Sequence, residues 1–152
     1  MSLYDFIATD DGRFPRLLSS KKHTADGRAK NRFDSYDDLY ELEILKDENP
    51  YKDVFFYTGL PFIYSIDWSY SQERCRTLSE HLMRNLSKGS RYEIHRILLA
   101  DSRSAKSFRR DIDNGLKERR EHKLSVSVGP DRFSDELCRL FGEGEIFFVR
   151  LY

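Results

Sequence analysis

Hydrophobic positions divide the chain into an irregular first third and a regular remainder. Between Tyr70 and Ser87, the residues Cys75, Leu78, Leu82 and Leu86 recur at the spacing of one helix face, and Lys88 and Gly89 supply a cationic last turn and a stop. Tyr92 to Ala100 predicts a strand, and Ser104 to Arg120 a helix whose apolar face is Ala105, Phe108, Ile112 and Leu116. Leu124, Val126 and Val128 alternate with Ser125 and Ser127, which predicts a strand over Lys123 to Val128. Asp131 to Phe141 then brings Phe133, Leu137, Leu140 and Phe141 to one helical face before a break at Gly142 and Gly144. Glu145 to Tyr152 predicts a last strand whose centre, Ile146 to Val149, is apolar on both faces, as in a strand covered from both sides.

The N-terminal part is harder to read. Leu3 to Ala8 predicts a strand ended by the turn signal Asp10-Asp11-Gly12. Residues 19–32 hold no aliphatic side chain beyond alanine and no periodicity, so a mobile basic loop is expected, with a basic arm closing over an anionic ligand as the alternative. Asp37 to Lys46 fits a helix through Leu39, Leu42 and Leu45 and a strand through Tyr40, Leu42 and Ile44; a strand, or a short helix leading into one, is expected. Val54 to Trp68 predicts two strands around Gly59-Leu60-Pro61, or one strand with a sharp bend. Eight of the 21 aromatic residues fall between Tyr51 and Tyr70, a cluster that would suit a stacking platform but in predicted strands more often fills a core.

Strand and helix alternate from Val54 to Tyr152 with short connections. That order predicts a single α/β domain over residues 1–152: a mixed sheet, mostly parallel in its C-terminal two thirds, with antiparallel N-terminal strands and helices covering the sheet. With 39% hydrophobic and 34% charged residues, the expectation is a modest core under a heavily charged shell. Cys75 and Cys138, each at helical spacing among apolar residues, suit buried reduced thiols and a cytoplasmic location. Neither a leader pattern nor an apolar run of about 18 residues is present, so no membrane span is expected.

Formal net charge is zero, yet the charges are segregated. Asp11 to Arg32 holds seven Lys/Arg against two Asp; Asp34 to Asp53 holds eight acids against two Lys; Arg74 to Lys123 holds fourteen Lys/Arg against seven acids. In the last block Lys106, Arg109, Arg110, Lys117 and Arg120 form a basic stripe, most of it opposite the predicted apolar helix face, a candidate partner-binding surface, though Asp111 and Asp113 interrupt it.

Candidate chemistry is sparse. Neither cysteine has a partner at metal-ligand spacing, and His23, His81, His95 and His122 form no HxH or HExxH pattern, so no metal is expected. Glycine-rich phosphate loops and a GxSxG elbow are absent, and no cofactor is expected. His95 lies in a predicted strand, where a satisfied buried side chain is the more frequent role. Parallel strands would place three strand-to-helix connections on one sheet edge, where ligands bind in open α/β sheets. Asp67, Ser69 and Ser71 lie in the first, Asp101, Ser102, Arg103 and Ser104 in the second, and Gly129 to Asp131 form the third. The helix N-termini there suit an anion, but Ser and Asp are also the favoured helix caps. Arg103 stands out, since a guanidinium at a helix N-terminus meets the unfavourable end of the dipole unless an anion is bound.

These features rank three expectations. First is a small non-catalytic binding protein of the inhibitor, immunity or anti-defence type, reaching a protein partner through its charged surface. Second is an enzyme or sensor for a phosphate-bearing small molecule or nucleotide at the strand ends. Third is a nucleic-acid binder, which zero net charge disfavours.

Overall fold

A computed structural model describes residues 2–20, 40–99 and 105–152. Residues 21–32 of the expected basic loop and the whole of the 101–104 connection, with Asp101, Ser102, Arg103 and Ser104, lie outside the described residues. Ser19 and Ser20 belong instead to a short strand.

Seven strands of the described residues form one sheet: β1 (Ser2–Thr9), β2 (Leu17–Ser20), β3 (Tyr40–Lys46), β4 (Phe62–Trp68), β5 (Tyr92–Leu99), β6 (Arg120–Leu124) and β7 (Phe147–Leu151), in the order β2-β3-β4-β1-β5-β7-β6. Three helices accompany it: α1 (Gln72–Asn85), α2 (Ala105–Glu118) and α3 (Pro130–Glu143). The fold is α/β with a mixed sheet, but it is not mostly parallel. Among the described pairs only β6 and β7 are parallel; β1 pairs antiparallel with both β4 and β5, and β5 antiparallel with β7.

The reason lies in which strand fills each gap. A helix between two strands fixes a crossover, but not that the two strands become neighbours. β4 and β5 do run in the same direction on either side of α1, yet β1 inserts between them and pairs antiparallel with each. β6, α3 and β7 complete a true parallel unit. Consequently the C-terminal ends of β4 and β5 share one sheet edge, flanking the start of β1, while the Gly129 to Asp131 turn after β6 lies at the opposite edge.

Both faces are covered. α1 and α3 pack Cys75, Leu78, Leu82, Phe133, Leu137 and Phe141 over Ile7, Ile44, Ile66, Ile94 and Val149. On the other face Phe6, Ala8, Ile63 and Ile97 meet Val54, Tyr57 and Leu60. β7 lies between β5 and β6 with Phe147, Phe148 and Val149 buried, as its continuous apolar centre predicts.

The expected strand over VFFYT is a 3₁₀ helix, Lys52–Phe56. Val54, Tyr57 and Leu60 are the residues of this stretch that reach the core, and their spacing of three matches the 3₁₀ turn rather than the two-residue repeat of a strand. Local bonds close it, from the Val54 amide to the Tyr51 carbonyl and from the Tyr57 amide to the Val54 carbonyl. Likewise, β6 stops at Leu124 and Val126–Val128 form a second 3₁₀ turn, with the Ser125 hydroxyl accepting from the Ser127 amide. α2 presents Ile112 and Gly115 to the protein, while Leu116, expected on its apolar face, is 38% exposed. A Cβ on Gly115 would lie 2.8 Å from the Tyr57 hydroxyl, so glycine permits this close approach.

Candidate functional site

Alternation along β5 points Glu93, His95 and Ile97 to the face that α2 covers, and Tyr92, Ile94 and Arg96 to the α1/α3 face. His95 is fully buried, stacked between Phe6 at 4.8 Å and Phe148 at 5.4 Å. Its Nδ1 lies 3.0 Å from Nη1 of Arg119, just beyond α2, and its Nε2 lies 2.9 Å from Oε1 of Glu93. A guanidinium only donates, so Nδ1 must accept; Nε2 then carries the proton and donates to Glu93, which fixes the neutral tautomer. Burial pushes the His95 pKa down, and the Arg119 charge pushes the same way. Burial alone would raise Glu93, but the bonds from His95 and from the Thr58 hydroxyl, 2.8 Å away, leave it below the usual carboxylate range. Arg119 also donates to the Tyr57 carbonyl and covers the Phe148 ring at 4.1 Å.

On the opposite face Asp5 and Arg96 form a buried two-bond ion pair of 2.7 and 2.9 Å. Trp68 Nε1 donates to Asp5, and Arg96 donates to the Phe141 carbonyl. His81, held below its usual pKa by burial, donates to the Pro15 carbonyl and accepts from Asn85. Cys75 and Cys138 are buried free thiols, and burial raises the Cys75 pKa, so that thiol stays protonated. The Tyr4 hydroxyl is the one buried side-chain polar atom without a hydrogen-bond partner among the described residues. His95, the Asp5–Arg96 pair and His81 are therefore engaged in holding elements together: β5 to the end of α2, β1 to β5 and α3, and α1 to the turn before β2.

At the shared edge of β4 and β5, Ser71 is the N-cap of α1, accepting from the Arg74 amide at 3.1 Å. The Ser69 carbonyl accepts from the Arg74 guanidinium. Asp67 points to the α2 side of the sheet, where it and Asp47 line a cleft of about 350 Å³ with Tyr4, Tyr51 and Ser65. Ser71 thus has a capping role, and Asp67 an acidic surrounding.

α2 carries Lys106, Arg109, Arg110 and Lys117. Arg109, Arg110 and Lys117 are exposed, and none has an ion-pair partner among the described residues. Arg120 departs from the expected stripe, since it opens β6 and pairs with Glu145 at 3.1 Å. On α3, by contrast, Arg132 and Arg139 are paired with Glu136 and Glu143 one turn away. A cleft of about 670 Å³ also opens on the α2 side of the sheet, lined by Arg91, Glu93, Lys123 and Arg150 and walled by Gly59 and Leu60.

Exposed aromatics stand where the sequence reading favoured a strand core. Tyr51, Phe55 and Phe56 are 57%, 47% and 48% exposed, although their neighbours Val54 and Tyr57 are core residues. The signal was present in the three-residue spacing of Val54, Tyr57 and Leu60, which leaves the intervening aromatics outside. No group of His, Cys, Asp and Glu able to hold a metal occurs among the described residues, and no described helix is long and apolar enough to cross a membrane. No family model, curated protein or solved structure matches the chain.

Proposed function

We propose that this is a non-catalytic binding protein that docks a macromolecular protein partner through the basic outer face of α2. The observation that carries the reading is that Arg109, Arg110 and Lys117 stand exposed with no ion-pair partner among the described residues, where α3 pairs Arg132 with Glu136 and Arg139 with Glu143. Unpaired surface cations contribute little to stability but steer association with an acidic surface. The interior supports the same reading: both ring nitrogens of His81 and His95 are engaged, and His95 is sealed from solvent. A phosphate ligand at the strand ends has weaker support, because Ser71 is accounted for by capping and Asp67 shares its cleft with Asp47. Nucleic acid is disfavoured by zero net charge and by Asp113 and Glu118 within the helix surface.

Carbodiimide cross-linking in an extract of the native host, mapped by mass spectrometry, tests this. The reagent joins an ammonium only to a carboxylate in contact with it. Linkage of Lys117 to an acidic residue of a second protein, lost in high salt, is the expected result; linkages confined to Lys46, Lys52 or Lys88, or none at all, would reject the reading.

A further inference from the structure

We infer that the cleft of about 670 Å³ on the α2 side of the sheet binds a small zwitterion, taking its amine or amidine on Glu93 and its carboxylate or phosphate on Arg150 and Lys123. Its described lining residues come from the ends of β5, β6 and β7 and from Gly59 and Leu60, not from α2, so the site does not depend on the role proposed for that helix. Its volume suits a small organic molecule, for which pockets run to roughly 300–1,000 Å³.

Strand pairing sets three charged groups in one row. Arg150 is the register partner of Glu93 on β5 and of Lys123 on β6, and register partners share a face, so carboxylate, guanidinium and ammonium stand side by side. Glu93 is fixed from behind. Its Oε1 accepts both from the Thr58 hydroxyl and from His95, itself stacked between Phe6 and Phe148. Its Oε2 accepts no hydrogen bond. Because the Tyr4 hydroxyl is the one buried side-chain polar atom without a partner among the described residues, Oε2 is open to the cleft. Arg150 does not satisfy it, since the guanidinium Nε lies 3.9 Å away and turns to Glu121 at 3.1 Å. At the other end of the row Lys123 is exposed, with neither a hydrogen bond nor an ion pair among the described residues.

This row selects the occupant. A pre-oriented carboxylate oxygen calls for an N–H donor, and the guanidinium and ammonium beyond it call for an anion. β5 and β6 are two strand spacings apart, roughly 10 Å, so donor and acid must be well separated on the ligand. An α-amino acid, with both groups attached to one carbon, is too short; an ω-amino acid or an aminoalkyl phosphate spans the row.

The test follows backbone amide NMR shifts of the full chain during titration with ε-aminocaproate and with aminopentyl phosphate. Caproate, pentyl phosphate and hexylamine, each carrying one end only, are the comparison. At least one bifunctional probe should give saturable shifts at the Gly59, Glu93 and Lys123 amides, with an affinity about tenfold or more above that of any single-ended probe. The better of the two tells a carboxylate ligand from a phosphate. Lys123→Ala, a change at an exposed side chain that should keep the melting temperature, should reduce the bifunctional probe to the level of hexylamine, and Glu93→Gln to that of its acid-only counterpart. Arg76→Ala on α1 should change nothing. Bifunctional probes that bind no tighter than single-ended ones, shifts indifferent to Lys123→Ala, or no saturable shift at all would overturn the inference.

Discussion

Protonating His95 would place a second cation 3.0 Å from Nη1 of Arg119 and remove the acceptor that Arg119 uses. Its pKa in the folded chain therefore lies below the ordinary histidine value near 6.5. The folded state binds that proton less readily than the unfolded chain, so the associated stability is fully present above about pH 6.5 and is lost as pH falls toward the folded pKa. His81 is shifted in the same direction by burial. Denaturant unfolding from about pH 7.5 to 5 should thus show falling stability, with a slope of at most about 1.4 kcal/mol per pH unit for each histidine. His95→Gln, which keeps a donor and an acceptor, should reduce that slope and leave the His81 share; an unchanged slope would contradict the shifted His95. The Asp5–Arg96 pair makes a second residue-scale prediction. Asp5→Asn leaves a buried guanidinium uncompensated and should cost about 3–5 kcal/mol in chemical denaturation, much of it recovered when Arg96→Met is added. Equal stability of the single and double variants would contradict this.

At the scale of elements, the helix and strand order from β4 onward was legible because hydrophobic period reports which face of a segment is buried. Which strands pair was not, because period carries no information about neighbours: nothing in the residues of β4 or β5 says that β1 will lie between them. The Lys52–Phe56 turn was misread for a related reason, since aromatic content resembles a strand and only the spacing of Val54, Tyr57 and Leu60 distinguishes the two. Of the residues expected in the basic stripe, Arg109, Arg110 and Lys117 do lie exposed on α2, but Arg120 belongs to β6, because the helix ends at Glu118. Two predictions belong here. Ser71→Ala should cost about 0.5–2 kcal/mol in thermal or denaturant unfolding as a lost cap of α1, and a cost near zero would mean that the hydroxyl bond to the Arg74 amide does not stabilise the helix. Gly115→Ala should fail to deliver the roughly 1 kcal/mol that alanine ordinarily adds to a helix, because its methyl meets the Tyr57 hydroxyl; with Tyr57→Phe in place, the same change should become more favourable. If Gly115→Ala stabilises equally in both backgrounds, α2 does not approach Tyr57 as closely as described.

For the whole molecule, zero net charge conceals an uneven surface: α3 pairs Arg132 and Arg139 with its own glutamates, whereas Arg109, Arg110 and Lys117 of α2 are exposed with no ion-pair partner among the described residues. On the proposed reading, such an arrangement would speed encounter with an acidic partner without adding to stability. The most direct measurement is the association rate constant with the cross-linked partner, followed from low to moderate ionic strength for the unaltered protein and for Arg109→Glu/Arg110→Glu. The account predicts a rate that falls with salt for the unaltered protein, a slower rate with a flatter salt dependence for the double reversal, and the same melting temperature for both. Identical rates and identical salt dependence in the two proteins would contradict it.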